Sequence, residues 1–199
     1  MYALRGDDTD DFWRFNISQG TWDASPADTP AGAEWSSALA WDGDDRIYAF
    51  RGDNTTDFWV YVISQDQWSA LTDAPADVKR GGSLEYVNGV LYALRGENKT
   101  SLWRYTVSTN VWTSMSDTPG SVEEGGSLAW AGGDYIYALR GDKTDHFWRY
   151  RVSTNSWETL ASTPDIVDDG GGLAFVDGAL YALSGDGEED FWRFDPISE

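Results

Sequence analysis

The sequence predicts an all-β fold: a β-propeller of four-stranded antiparallel blades, about four and a half repeats in a single domain over residues 1–199. Three observations carry this. The run Tyr-Ala-Leu-Arg-Gly, with small changes, begins at Tyr2, Tyr48, Tyr92, Tyr137 and Tyr181. That period of about 45 residues suits a propeller blade. A second run follows each copy: Phe12-Trp13-Arg14-Phe15, Phe58-Trp59-Val60-Tyr61, Leu102-Trp103-Arg104-Tyr105, Phe147-Trp148-Arg149-Tyr150 and Phe191-Trp192-Arg193-Phe194. A further Trp closes four copies, at Trp22, Trp68, Trp112 and Trp157.

The third copy shows the elements in order. Strand a is expected over Gly81–Val87 and strand b over Val90–Arg95, joined by Asn88-Gly89. That dipeptide supplies the two positive-φ residues of a type I′ hairpin turn. Asp177-Gly178 serves the same role later, and Gly132-Gly133 resembles it. Strand c is expected over Leu102–Val107, and strand d begins near Trp112 after the polar turn Ser108-Thr109-Asn110. Pro119 then ends pairing, because it cannot donate a ladder hydrogen bond. No segment keeps a helical period. The glycine pairs Gly81-Gly82, Gly125-Gly126 and Gly171-Gly172, with Ser36-Ser37 in their place earlier, mark strand a as the crowded inner strand.

The repeat resembles the kelch repeat. In that family an aromatic on strand c precedes a Trp on strand d by a fixed interval. Phe15 and Trp22, Tyr61 and Trp68, Tyr105 and Trp112, and Tyr150 and Trp157 share one spacing. The resemblance covers the whole chain and implies a propeller that binds partners through its loops or channel mouth. One departure stands out. Where the family has a double glycine after strand b, this chain has Gly followed by an acid, as in Gly52-Asp53 and Gly96-Glu97.

The chain opens at a strand b and stops after a strand c, as a segment excised from a longer protein would. Half-rings expose sheet faces, which favours association. The expectation is therefore a homo-oligomer, a dimer foremost, that completes the ring between chains; a closed monomer of five blades is the alternative.

Composition narrows the function. There are 34 acidic against 14 basic residues, a net charge of −20. Nucleic acid and anionic membranes need clustered Lys and Arg, so neither is an expected partner. The absence of Cys excludes disulfides and thiolate chemistry. No long apolar run is present. The acidic surface fits an extracellular or cell-surface microbial protein, a high-salt setting, or binding of divalent cations.

Candidate chemistry is sparse. Asp7, Asp8 and Asp10 in the first b–c loop, and Asp186, Glu188 and Asp190 in the last, could gather oxygen ligands for calcium. Asp-rich turns also satisfy their own backbone, so no cofactor is the base expectation. The triplets Arg5-Gly6-Asp7, Arg51-Gly52-Asp53 and Arg140-Gly141-Asp142 arise from the repeat and are not read as adhesion motifs. The strand-c arginines are expected to lie along Trp rings and to pair with acids. His146 is the only His and sits where other copies carry Asp or Ser.

The leading expectation is thus a non-catalytic binding or scaffold propeller with protein or glycan ligands. A carbohydrate-binding propeller would use Trp35, Trp41 or Trp130, which stand outside the two regular Trp positions. A fragment or engineered arc whose role is assembly is a third reading. A carboxylate- or calcium-dependent enzyme is the least supported.

Overall fold

The computed structural model describes residues 1–196 apart from 25, 34, 35 and 53. It consists of eighteen strands in five antiparallel sheets. Blade 1 holds β1 (Tyr2–Leu4), β2 (Phe12–Asn16) and β3 (Thr21–Asp23). Blade 2 holds β4 (Ala38–Trp41), β5 (Arg46–Phe50), β6 (Phe58–Val62) and β7 (Gln67–Ala70). Blade 3 holds β8 (Ser83–Val87), β9 (Val90–Leu94), β10 (Leu102–Thr106) and β11 (Val111–Ser114). Blade 4 holds β12 (Ser127–Trp130), β13 (Tyr135–Leu139), β14 (Phe147–Arg151) and β15 (Ser156–Thr159). Blade 5 holds β16 (Gly172–Val176), β17 (Ala179–Leu183) and β18 (Phe191–Phe194).

The expected four and a half repeats are therefore five blades; among the described residues the first has no inner strand and the last no outer one. A second chain is not needed to form them, which corrects the expectation of four and a half repeats whose ring is completed by oligomerisation. The physical reason is local. Each three-stranded blade still lays one apolar face on a four-stranded neighbour, so its burial comes from within the chain.

Residues alternate between two faces of each sheet, as the period of two requires. One face meets the preceding blade and the other the following blade. Between blades 2 and 3, Tyr48, Phe50 and Phe58 pack on Leu91, Ala93, Trp103 and Tyr105. Between blades 3 and 4, Tyr92, Leu94 and Leu102 pack on Ile136, Ala138, Trp148 and Tyr150. Tyr137, Leu139 and Phe147 meet Leu180, Ala182 and Phe194 in the same way, and Phe12 meets Ile47 and Tyr61.

Polar staples hold the outer rim. The Trp68 Nε1–H donates to the Ala27 carbonyl at 2.9 Å, Trp112 to Thr72 at 2.9 Å, and Trp157 to Ser116 at 2.9 Å. Each carbonyl lies in the loop that leaves the preceding blade. At the inner end, single bridges join Thr9 to Ala33, Thr55 to Val78, Lys99 to Val122 and Thr144 to Val167. Each ties a b–c loop to the segment entering the next blade. The strand-b arginines add to this: Arg51 Nε donates to the Gly32 carbonyl, Arg95 to Asp77 and Arg140 to Ser121.

The hairpin turns match expectation. Asn88 and Gly89 have φ of 48° and 89°, and Asp177 and Gly178 have 48° and 86°. The glycine pairs differ. Gly81-Gly82 and Gly125-Gly126 precede their inner strands, whereas Gly172 opens β16, and Gly81 (φ 79°) and Gly125 (φ 79°) are left-handed. A Cβ on Gly81 would stand 1.9 Å from the Glu123 carbonyl oxygen of the next blade. On Gly125 it would stand 2.3 Å from the Asp168 carbonyl oxygen. These glycines let the chain enter one blade against the backbone entering the next.

Replacing Gly81 by Ala should cost the 1–2 kcal/mol of a left-handed Cβ, plus the displacement of Glu123, for a total of about 3 kcal/mol. Gly20→Ala, at φ 66° with nothing within 4 Å, should lose only the first part. Urea unfolding of both variants checks the difference.

Candidate functional site

The apolar faces at the two ends of the blade series are the most unusual feature of the surface. Inside the series every b-strand Tyr is covered: Tyr48, Tyr92 and Tyr137 are at most 2% exposed. Their partners Phe58, Leu102 and Phe147 are also buried. On blade 5 the same face has no cover. Leu183 is 50% exposed, Phe191 60% and Val176 51%, whereas Leu139, Phe147 and Val87 are buried. The Tyr181 ring stacks on Phe191 at 5.4 Å.

Blade 1 shows the complement. Its outward face carries Ala3, Trp13, Phe15 and Trp22, and Trp22 is 54% exposed. The equivalent Trp68, Trp112 and Trp157 are each bonded to the preceding blade's loop, as described above. Among the described residues, the junction between blades 5 and 1 is the one junction without a core cluster.

A polar depression of about 330 Å³ lies at one end of the axis, formed by the segments entering blades 2 to 5. Arg80 and Glu124 pair across it, and Asp169 also lines it. A single cation held by an acid gives no vacant charged site there.

The sequence candidates are scattered. Asp7, Asp8 and Asp10 lie in the loop of blade 1, and Asp186, Glu188 and Asp190 in that of blade 5. Among the described residues no group of three or more acids or His is gathered as metal ligands. The acid after the strand-b glycine takes a left-handed backbone, with φ of 58° at Asp7, 51° at Glu97, 57° at Asp142 and 51° at Asp186. The loop thus keeps the geometry that a second glycine would give more freely. Trp35 lies outside the described residues. Trp41 is exposed, with its Nε1–H given to the Asp44 carbonyl at 3.0 Å. Trp130 is partly buried in the junction of blades 3 and 4, with its Nε1–H given to Gly133. These two sit on separate blades and form no common platform.

Two of the strand-c arginines pair with acids on strand d, Arg14 with Asp23 at 2.5 Å and Arg149 with Glu158 at 2.7 Å, whereas Arg104 lies opposite Thr113. The ring beneath Arg149 is Tyr135, at 4.4 Å, where a Trp was expected. Arg151 also faces that ring, at 5.0 Å, so two cations lie against one Tyr in blade 4. The Arg104 Nε is buried without an acceptor among the described residues. His146 Nδ1 accepts from Arg140 at 3.1 Å, since a guanidinium can only donate. Its ring stacks on Trp148.

Sequence reasoning missed Glu85. It lies on the inner strand β8, where blades 2, 4 and 5 carry Ala40, Ala129 and Ala174. Burial raises its carboxyl from the ordinary 4.5 to about 7, opposed by the Trp130 backbone amide. The signal was a lone acid in a column of alanines.

No protein-family model matches the chain, and no curated protein does. Among solved structures, one titled "Structure of YjhT" superimposes with a TM-score of 0.70 at 16% identity. The match covers 91% of this chain and 68% of that one. At that identity it establishes a shared propeller fold.

The raised carboxyl gives a test with a definite sign. A folded value of about 7 against an ordinary 4.5 means the folded state holds the proton more tightly. This contribution is present in full below pH 4.5 and is lost as pH rises through 7. Glu85→Gln should therefore gain stability relative to the parent between pH 5 and pH 8, by up to about 3 kcal/mol. Urea midpoints of both proteins across that range measure it; parallel curves would exclude the assignment.

Proposed function

We propose that the protein is a non-catalytic, kelch-like binding and scaffold propeller that associates head to tail with a second copy, blade 5 of one against blade 1 of the next. One observation supports this above the others. The uncovered face of blade 5 carries the residue types that meet a following blade elsewhere in the chain. The uncovered face of blade 1 carries the types that meet a preceding one. The four internal junctions thus provide a template for a fifth between copies.

The contact is heterologous, since two different surfaces meet. It closes if two copies curve onto each other and extends as a filament if they do not. A net charge of −20 opposes it through long-range repulsion, which salt screens while leaving apolar burial intact. The carbohydrate reading has less support, because Trp41 and Trp130 stand apart and each indole N–H serves its own turn.

Light scattering at about 100 µM protein should show dimers or larger species, more of them at 1 M salt than at 0.05 M. Phe191→Lys, at a position already exposed, should return the protein to a monomer without loss of thermal stability. A wild-type protein that stays monomeric in high salt at this concentration overturns the reading.

A further inference from the structure

One polar unit recurs on the blades and is altered in the middle one. It consists of the strand-b Tyr, the strand-c Arg opposite it, and the strand-d acid opposite the Arg. In blade 1 these are Tyr2, Arg14 and Asp23, and in blade 4 they are Tyr137, Arg149 and Glu158. The acid, and after it the Tyr hydroxyl, holds each guanidinium above the ordinary arginine value. In blade 3 Tyr92 and Arg104 keep their places, but the residue opposite Arg104 is Thr113.

The consequence falls on one atom. Arg149 Nε donates to Glu158 Oε2 at 2.7 Å. The same atom of Arg104 is buried and has no acceptor among the described residues. The acids around it are engaged elsewhere. Asp134 pairs with Arg151 and accepts from Ser153. Glu85 lies on the far side of Tyr92 in the same row, and its carboxyl accepts from the Trp130 amide. The surroundings of Arg104 are aromatic instead. Tyr92 is 1% exposed and Tyr150 0%, with ring centroids 5.6 Å apart. Burial raises both hydroxyls, and the Arg104 guanidinium beside them opposes that rise. A charged donor enclosed in this way without an acceptor is costly.

We infer that Arg104 anchors a binding site for a small carboxylate anion, of the size of formate or acetate, which takes the place beside Nε that Glu158 takes in blade 4. The planar guanidinium matches a planar carboxylate, and the bond is charge-assisted. Thr113 is exposed, so the ligand reaches Nε from the side of the outer strand. It is small because the site lies in the packed junction of blades 3 and 4. It carries a single charge because a net charge of −20 repels anions at long range. One charge-assisted contact supports a dissociation constant on the order of 10 mM. The site belongs to the middle blade, away from the faces of blades 1 and 5, so the inference stands whether or not the copies associate.

The test follows the Nε–H resonance of Arg104 in nitrogen-15-labelled protein, identified by its loss in Arg104→Lys, while sodium formate replaces sodium chloride at constant ionic strength. The resonance should move and level off at millimolar formate. In Thr113→Glu, a change at an exposed position, it should stand displaced before formate is added and should not respond further. Thermal midpoints give a second readout. Formate in place of chloride should raise the midpoint of the parent protein and leave those of Arg104→Lys and Thr113→Glu unchanged. A resonance that formate does not move to saturation, the result if water alone serves Nε, overturns the proposal. An equal response in Thr113→Glu also overturns it.

Discussion

Each blade is a thin sheet with two apolar faces, and neither face can be left in water without cost. A propeller resolves this by giving every sheet a neighbour on both sides. The tyrosines of strand b and the tryptophans of strands c and d fill the wedge that widens outward, while glycines admit close backbone approach near the axis. Everything else in the molecule serves that stacking. The indole bonds to loop carbonyls fix the outer rim, the arginine bonds to entering segments fix the inner end, and the single bridges lock one blade to the next.

Much of this was legible in the sequence because it repeats. The Tyr-Ala-Leu-Arg-Gly run located strand b in all five copies, and the constant interval between Phe or Tyr and Trp located strands c and d. Asn88-Gly89 identified its turn because few other dipeptides accept two left-handed residues. The errors came where the repeat does not speak. Gly81 looks like a small strand residue, but its role is set by Glu123 in another blade, beyond the reach of a local pattern. The ring under Arg149 is a Tyr that appears at the start of strand b in one copy only. The same holds for Glu85, whose unusual carboxyl depends on what covers it.

The site was less legible than the fold for a related reason. The sequence directed attention to acidic loops and irregular tryptophans, which are conspicuous by composition. The structure spreads these apart. What it brings together are ordinary core residues, Phe191 and Leu183 on one face. Their types are the same as in every other copy. Only the missing neighbour makes them different, and a missing neighbour has no residue code.

The stacking also shapes how the molecule comes apart. Blade 3 is braced on both sides by four-stranded sheets, while among the described residues blades 1 and 5 each lean on one neighbour and lack one strand. In a chain whose units touch only those beside them, cohesion adds along the row. Loosening therefore starts at the two ends and moves inward, and the amide protons of blade 3 are the last to meet solvent. The protein is a row held from its middle, and whatever binds at either end also sets how far the fraying reaches.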